Sequence, residues 1–375
     1  MISFETGPIR PPSEAGSILI RLTRNCPWNK CTFCPVYKGQ KFSRRSVEEI
    51  KADIDAITII RDVLQEKFSR AEGGKFGDTI LRVISGHQIA PEFINQVYFW
   101  MHSGLENVFL QDADSLVLKT AHVAEVLRYL KAKIPSVKRI TTYSRAKTVS
   151  RKSTEELREL KDAGLNRLHL GMESGSDDVL QFMKKGVTAE EHISAGKKAV
   201  AAGMELSEYY MPGLGGKMNT RQNAEDSARV LNEINPAFIR LRSTVPVPGT
   251  PLYDLMEKGA WAPLTEEEKI KEIRLFLEKL EGINSILLSD HIMNMIEDIG
   301  GKLPGDKDKM LGIADTFLGM SIEDRESFML GRRLGKFHYF SDYKKIPNLD
   351  EIKKQVIERY SSLDEALKVF AQRYI

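Results

Sequence analysis

Residues 17–35 read SILIRLTRNCPWNKCTFCP. The first part, Ser17 to Leu22, is apolar and branched, as strands are. The second part is a loop holding Cys26, Cys31 and Cys34, and the chain of 375 residues has no other cysteine. Structural thiols are usually buried singly. Three crowded between residues 26 and 34, beside Pro27 and Pro35, follow neither a strand nor a helix period. In parallel α/β folds, loops at the carboxyl ends of strands carry the chemistry. These thiols therefore stand where a site is expected.

The rest of the composition narrows the class. An odd cysteine count closes no disulfide framework, and no amino-terminal stretch reads as a secretory signal. A cytoplasmic setting is expected, where clustered cysteines bind metal or do redox chemistry. No segment approaches the ~20 consecutive apolar residues of a membrane span. The 55 basic and 52 acidic side chains nearly cancel, so a net charge of +3 gives no strong argument for a nucleic-acid partner.

Working outward, strand-like runs recur at Asn107–Leu110, Arg139–Tyr143, Arg167–Leu170, Glu205–Met211 and Phe238–Arg242. Capping boxes open helices between and after them: Ser46 with Glu49, Ser153 with Glu156, Thr188 with Glu191, and Thr265 with Glu268. Gly164 reads as a helix stop. Alternating strands and helices imply parallel pairing. The expected fold is α/β, a partial (β/α)6 TIM-like barrel over residues 1–255 with its cysteine loop at 24–38. A mainly helical carboxy-terminal extension is expected over 256–375, without strands of comparable strength, and Asn348 to Glu351 opens a last helix. Phe68 to Asp78 reads as a loop, and Thr79 to Trp100 as a helical insertion.

The loop admits two kinds of metal. Zinc takes four Cys or His ligands, so a distant histidine such as His87 or His169 would have to complete the set. An iron–sulfur cluster accepts an incomplete protein shell, because three thiolates on four irons leave one iron open to a small molecule.

At this point the chain resembles the radical S-adenosylmethionine (SAM) superfamily, through its three cysteines after the first strand and the aromatic Phe33 just before the last of them. The family's usual loop is Cys-x3-Cys-x2-Cys, whereas this one is Cys-x4-Cys-x2-Cys, with Pro27, Trp28, Asn29 and Lys30 in the longer gap. One extra residue changes closure entropy little. The resemblance implies that Cys26, Cys31 and Cys34 hold a [4Fe–4S] cluster and that Phe33 touches the cofactor. It implies SAM contacts at Asp112 or Asp114, at Ser144 beside Tyr143, at Glu173 in the run LGMESGSDDVLQFMKKG (170–186), at the turn with Gly213 and Gly215, and at Arg242. That run is similar to the fourth-strand segment of proteins related to oxygen-independent coproporphyrinogen oxidase. Arg240 and Arg242, two apart, are expected to face one way toward an anion.

The implied activity is reductive cleavage of SAM to methionine and a 5′-deoxyadenosyl radical that abstracts hydrogen from a substrate. Such a chain would be an oxidoreductase or lyase fed by flavodoxin or ferredoxin. A small-molecule substrate is expected ahead of nucleic acid. Three cysteines leave none for a second all-cysteine cluster, or for the extra catalytic cysteines of RNA-methylating members. The short lead suggests no amino-terminal cobalamin-binding domain. Two alternatives stay open: a non-catalytic zinc- or cluster-stabilised binding or assembly protein, and an RNA-modifying member of the same superfamily. His291 is a candidate functional residue, but it follows two good helix starters, Ser289 and Asp290, and the structural reading stands ahead.

Overall fold

The computed structural model describes residues 2–70, 89–344 and 348–372. All six expected strands form, at Ile18–Arg21, Asn107–Gln111, Arg139–Ser144, Leu165–Glu173, Glu205–Tyr210 and Phe238–Leu241, and a helix follows each. The fold class is α/β with mostly parallel strand pairs. The residues cluster into two compact units: 1–27, 39–169 and 201–205 in the first, and 28–38, 170–200 and 206–375 in the second.

In the first unit Ile18–Arg21 pairs in parallel with Val108–Gln111, and Asn107–Leu110 pairs in parallel with Arg139–Thr142. Ile18, Ile20, Val108, Leu110 and Ile140 are fully or almost fully buried. Burial on both faces suits their branched, apolar character. A short antiparallel pair, Thr23–Arg24 with Ser43–Arg44, stands apart.

In the second unit Ser207–Tyr210 pairs in parallel with Phe238–Leu241. Beyond residue 255 the structure departs from the expectation of helices alone. Ile286–Leu288 pairs in parallel with Phe238–Arg240, and Gly301–Lys302 returns antiparallel to it. Strands of three and two residues are too short for a period of two to be read from sequence. Two helices, rather than one, close the described chain, at Leu349–Tyr360 and Leu363–Gln372.

All four capping boxes form with both reciprocal hydrogen bonds. Gly164 ends its helix in the left-handed conformation, at φ +119°. Phe68, expected to open a loop, lies in the helix Val47–Arg70. The rest of that loop, residues 79–88 of the expected insertion, and His87 lie outside the described residues. The described part of the insertion is the helix Pro91–His102. None of the described helices is long and apolar enough to cross a membrane.

Candidate functional site

The three cysteines are each half-buried; Cys26 belongs to the first unit, and Cys31 and Cys34 to the second. Within the second unit Cys34 lines a cavity of about 120 Å3 together with Phe33, Glu173, Met211, Arg242 and His291. Four residues singled out in the sequence thus meet at one cavity: Phe33, Cys34, Glu173 and Arg242.

Glu173 ends its strand with φ +66°, in the left-handed region. A residue with a Cβ pays steric strain there, so the surroundings must hold it. Its carbonyl accepts from the amide of Met211, and its carboxylate accepts from Lys185 Nζ at 3.0 Å. The Lys185 ammonium also lies 5.8 Å from the Phe33 ring centroid. Glu208, fully buried on the next strand, went unnoticed in the sequence. Burial pushes its carboxyl well above the usual range, and the charge of Glu173 pushes it further. Burial thus favours the protonated form of Glu208.

Arg240 and Arg242 part company. Arg240 is buried and donates to Asp290 at 2.7 Å. Arg242 lies one residue past its strand, whose last residue is Leu241, so the alternation of faces no longer governs it. It is exposed and lines the cavity.

His291, read from the sequence as structural, lines the same cavity. No helix follows it: Ser289 Oγ donates to the Ile296 carbonyl, and Asp290 takes Arg240. The His291 Nδ1 accepts the Met293 amide at 3.2 Å. Burial, reinforced by the charge of Arg242, lowers the imidazole to about 4. A Ser-Asp-His loop carries no local signal for any of this.

The other expected contacts belong to the first unit or to the glycine turn. Asp112 is fully buried and accepts from Arg21 Nε and Nη2 at 2.8 and 2.5 Å and from the Asn25 amide at 3.0 Å. Asp114 is also fully buried. It accepts from the Ser144 hydroxyl at 2.7 Å, the Thr148 hydroxyl at 2.5 Å and the Arg145 amide at 3.2 Å. Burial still raises its carboxyl, despite those donors. Its side chain caps no helix. His169 is buried among Phe109 and Tyr143 in the first unit.

The glycine turn is held from a distance in sequence. Gly213 takes φ +83°, and its amide donates to Glu272 Oε1 at 2.9 Å. Glu272, on the helix Glu266–Lys279, also accepts from the Tyr210 hydroxyl, the Thr220 hydroxyl and Asn223 Nδ2. Four donors on one buried carboxylate fix the turn between Tyr210 and Thr220. A Cβ on Gly215 would stand 2.7 Å from the Asn219 carbonyl oxygen, so that position also requires glycine.

Among the described residues, no group of three or more His, Cys, Asp or Glu side chains could hold a metal ion. A four-iron cluster makes a different demand, since each thiolate binds its own iron. Thiolate donors suit iron–sulfur chemistry, and an apolar wall with a guanidinium and a carboxylate at one cavity suits a zwitterionic cofactor.

A family model described as Radical SAM superfamily matches residues 87–231. The cysteine loop lies ahead of that match. A tRNA uridine(34) acetyltransferase of Methanocaldococcus jannaschii is 29% identical over 125 residues, covering 32% of this chain and 22% of that protein. A tRNA-2-methylthio-N(6)-dimethylallyladenosine synthase of Neisseria meningitidis is 25% identical over 307 residues, covering 78% of this chain and 58% of that protein. The crystal structure of methylornithine synthase superposes with a TM-score of 0.44 at 17% identity, covering 74% of this chain and 66% of that one.

Proposed function

We propose that this chain, whose residues 87–231 match the Radical SAM superfamily model, is an enzyme that binds a [4Fe–4S] cluster through Cys26, Cys31 and Cys34 and cleaves SAM reductively. The observation that carries this reading is the single cavity shared by Cys34, Phe33, Glu173 and Arg242. When bound, cluster and SAM supply hydrogen-atom abstraction from substrate, with the electron coming from flavodoxin or ferredoxin. The chain's own residues do the rest. Arg242 offers a guanidinium to a carboxylate. Lys185 holds the Glu173 carboxylate in place for a hydroxyl or ammonium donor. Phe33, Met211 and Met293 keep the cavity wall apolar and exclude water. His291, neutral and with Nδ1 occupied by the Met293 amide, carries its proton on Nε2. Asp112, Asp114 and Ser144 stiffen their strand ends rather than contacting cofactor, and Gly213 and Gly215 shape a turn.

For substrate we favour RNA over the small molecule expected from the sequence. The support is that both curated relatives described above carry names of tRNA-modifying enzymes. The test is anaerobic: load iron and sulfide, reduce, add SAM with and without bulk tRNA, and measure 5′-deoxyadenosine and the masses of the tRNA nucleosides. Product that disappears in Cys31→Ala supports the radical reading, and its absence from wild type at every substrate overturns it. An altered nucleoside supports RNA. SAM cleavage with tRNA that is neither altered nor bound at low salt returns the choice to a small molecule.

A further inference from the structure

We propose that Trp28 is a positioning residue for the iron–sulfur cluster: its indole clasps the long cysteine loop onto the turn Met183–Gly186. The inference rests on the reading of the loop as a cluster site. In the second unit Trp28 Nε1–H donates to the Lys184 carbonyl at 2.7 Å. Gly186 takes φ +69°, and a Cβ there would collide with the indole ring. Only glycine both adopts that backbone and leaves room for the ring. Lys30 Nζ stands 4.9 Å from the Trp28 ring centroid.

The rest of the loop is tied to the same turn. The Thr32 amide donates to the Met183 carbonyl at 3.0 Å, and its buried hydroxyl reaches Met183 Sδ at 3.0 Å. The Thr32 carbonyl accepts the Leu252 amide at 3.0 Å. Lys38 Nζ closes the loop internally by donating to the carbonyls of Cys31 and Asn29, at 2.7 and 3.1 Å. Thr32 sits between two of the thiols, so its bonds fix the backbone from which Cys31 and Cys34 project. A four-residue gap between the first two cysteines is longer than a cluster requires, and a slack loop loses entropy on binding metal. A ring docked inside the gap removes that slack beforehand.

The test compares wild type with Trp28→Ala and the milder Trp28→Phe, which keeps a ring but loses the N–H. Each is loaded anaerobically, and iron and sulfide per chain, the electron paramagnetic resonance of the reduced cluster, and the rate of iron loss to a chelator are measured. Circular dichroism reports the fold. Iron loss is expected to speed up about fivefold in Trp28→Phe, the value of one hydrogen bond, and more in Trp28→Ala. On the apoprotein, trypsin should cut after the exposed Lys30 faster in both variants. Should Trp28→Ala fail to fold, Trp28→Phe still decides. A wild type that holds four irons, with both variants losing iron and being cut at its rate, overturns the clasp. A wild type that forms no four-iron cluster overturns the reading beneath it, and the clasp's cluster role falls with it.

Discussion

Asp112 and Asp114 in the first unit, and Glu173 in the second, give the same signal in sequence: an acid where a parallel strand meets its loop. Their surroundings separate them. Asp112 and Asp114 accept from Arg21, Asn25, Ser144, Arg145 and Thr148. Glu173 pairs with Lys185 and lines a cavity with a cysteine and an arginine in its wall. The two aspartates meet several donors from the fold, whereas Glu173 meets Lys185 and lines a cavity. Burial distinguishes the two where residue type cannot.

The comparison can be broken by substitution. The largest effect belongs to the cavity's sulfur. Cys34→Ala is expected to abolish the four-iron signal and SAM cleavage to below detection, while circular dichroism stays unchanged; a retained four-iron signal would sink the assignment. Next come the two charged walls. Glu173→Gln and Arg242→Ala should each weaken SAM binding about tenfold, the scale of a charge-assisted hydrogen bond, with Tm nearly unchanged. Equal affinity in both would deny them a role.

Asp114→Asn should behave in the opposite way. It puts an amide N–H against donors, and a cost of about 2 kcal/mol in stability is expected, read by denaturant midpoint with SAM affinity unchanged. A tenfold loss of affinity with no loss of stability would erase the contrast. The last effect, smallest at neutral pH, is a titration in the apoprotein. The folded His291 titrates near 4 against an ordinary 6.5. Between those values the unfolded chain binds the extra proton, so stability is fully present above 6.5 and declines as pH falls toward 4. His291→Gln should remove up to about 3 kcal/mol of that decline between pH 6.5 and 4, seen as a shallower fall of the denaturant midpoint. An unchanged slope would place the imidazole in solvent.

What the sequence disclosed, and what it hid, follows the range of the forces involved. Helix starts are local, so Ser153 with Glu156 and Thr265 with Glu268 were legible as capping boxes and form as such. The six long strands announce themselves by branched, apolar runs. Ile286–Leu288 is a strand only because Phe238–Arg240 supplies its partners, and three residues carry no period. Cys34, Phe33, Glu173 and Arg242 were legible as types at strand ends, and the cavity they share is tertiary. Glu208 was not, and His291 read as structural, since a histidine in an irregular loop and an acid inside an apolar run become notable only through what surrounds them. Arg242 differs from Arg240 because the strand stops between them, a boundary that sequence fixes only to within a few residues.

Glu272 has a consequence for descent. Its carboxylate sits on a helix beyond the matched residues 87–231, yet it receives hydrogen bonds from Tyr210, Gly213, Thr220 and Asn223, all inside that match. The later helix is therefore no detachable cassette. A chimera that exchanged it for an unrelated tail would leave four donors without this acceptor, those of Tyr210, Gly213 and Asn223 buried. Lineages that recombine here must carry the acid and its four donors together, or lose the turn that they brace.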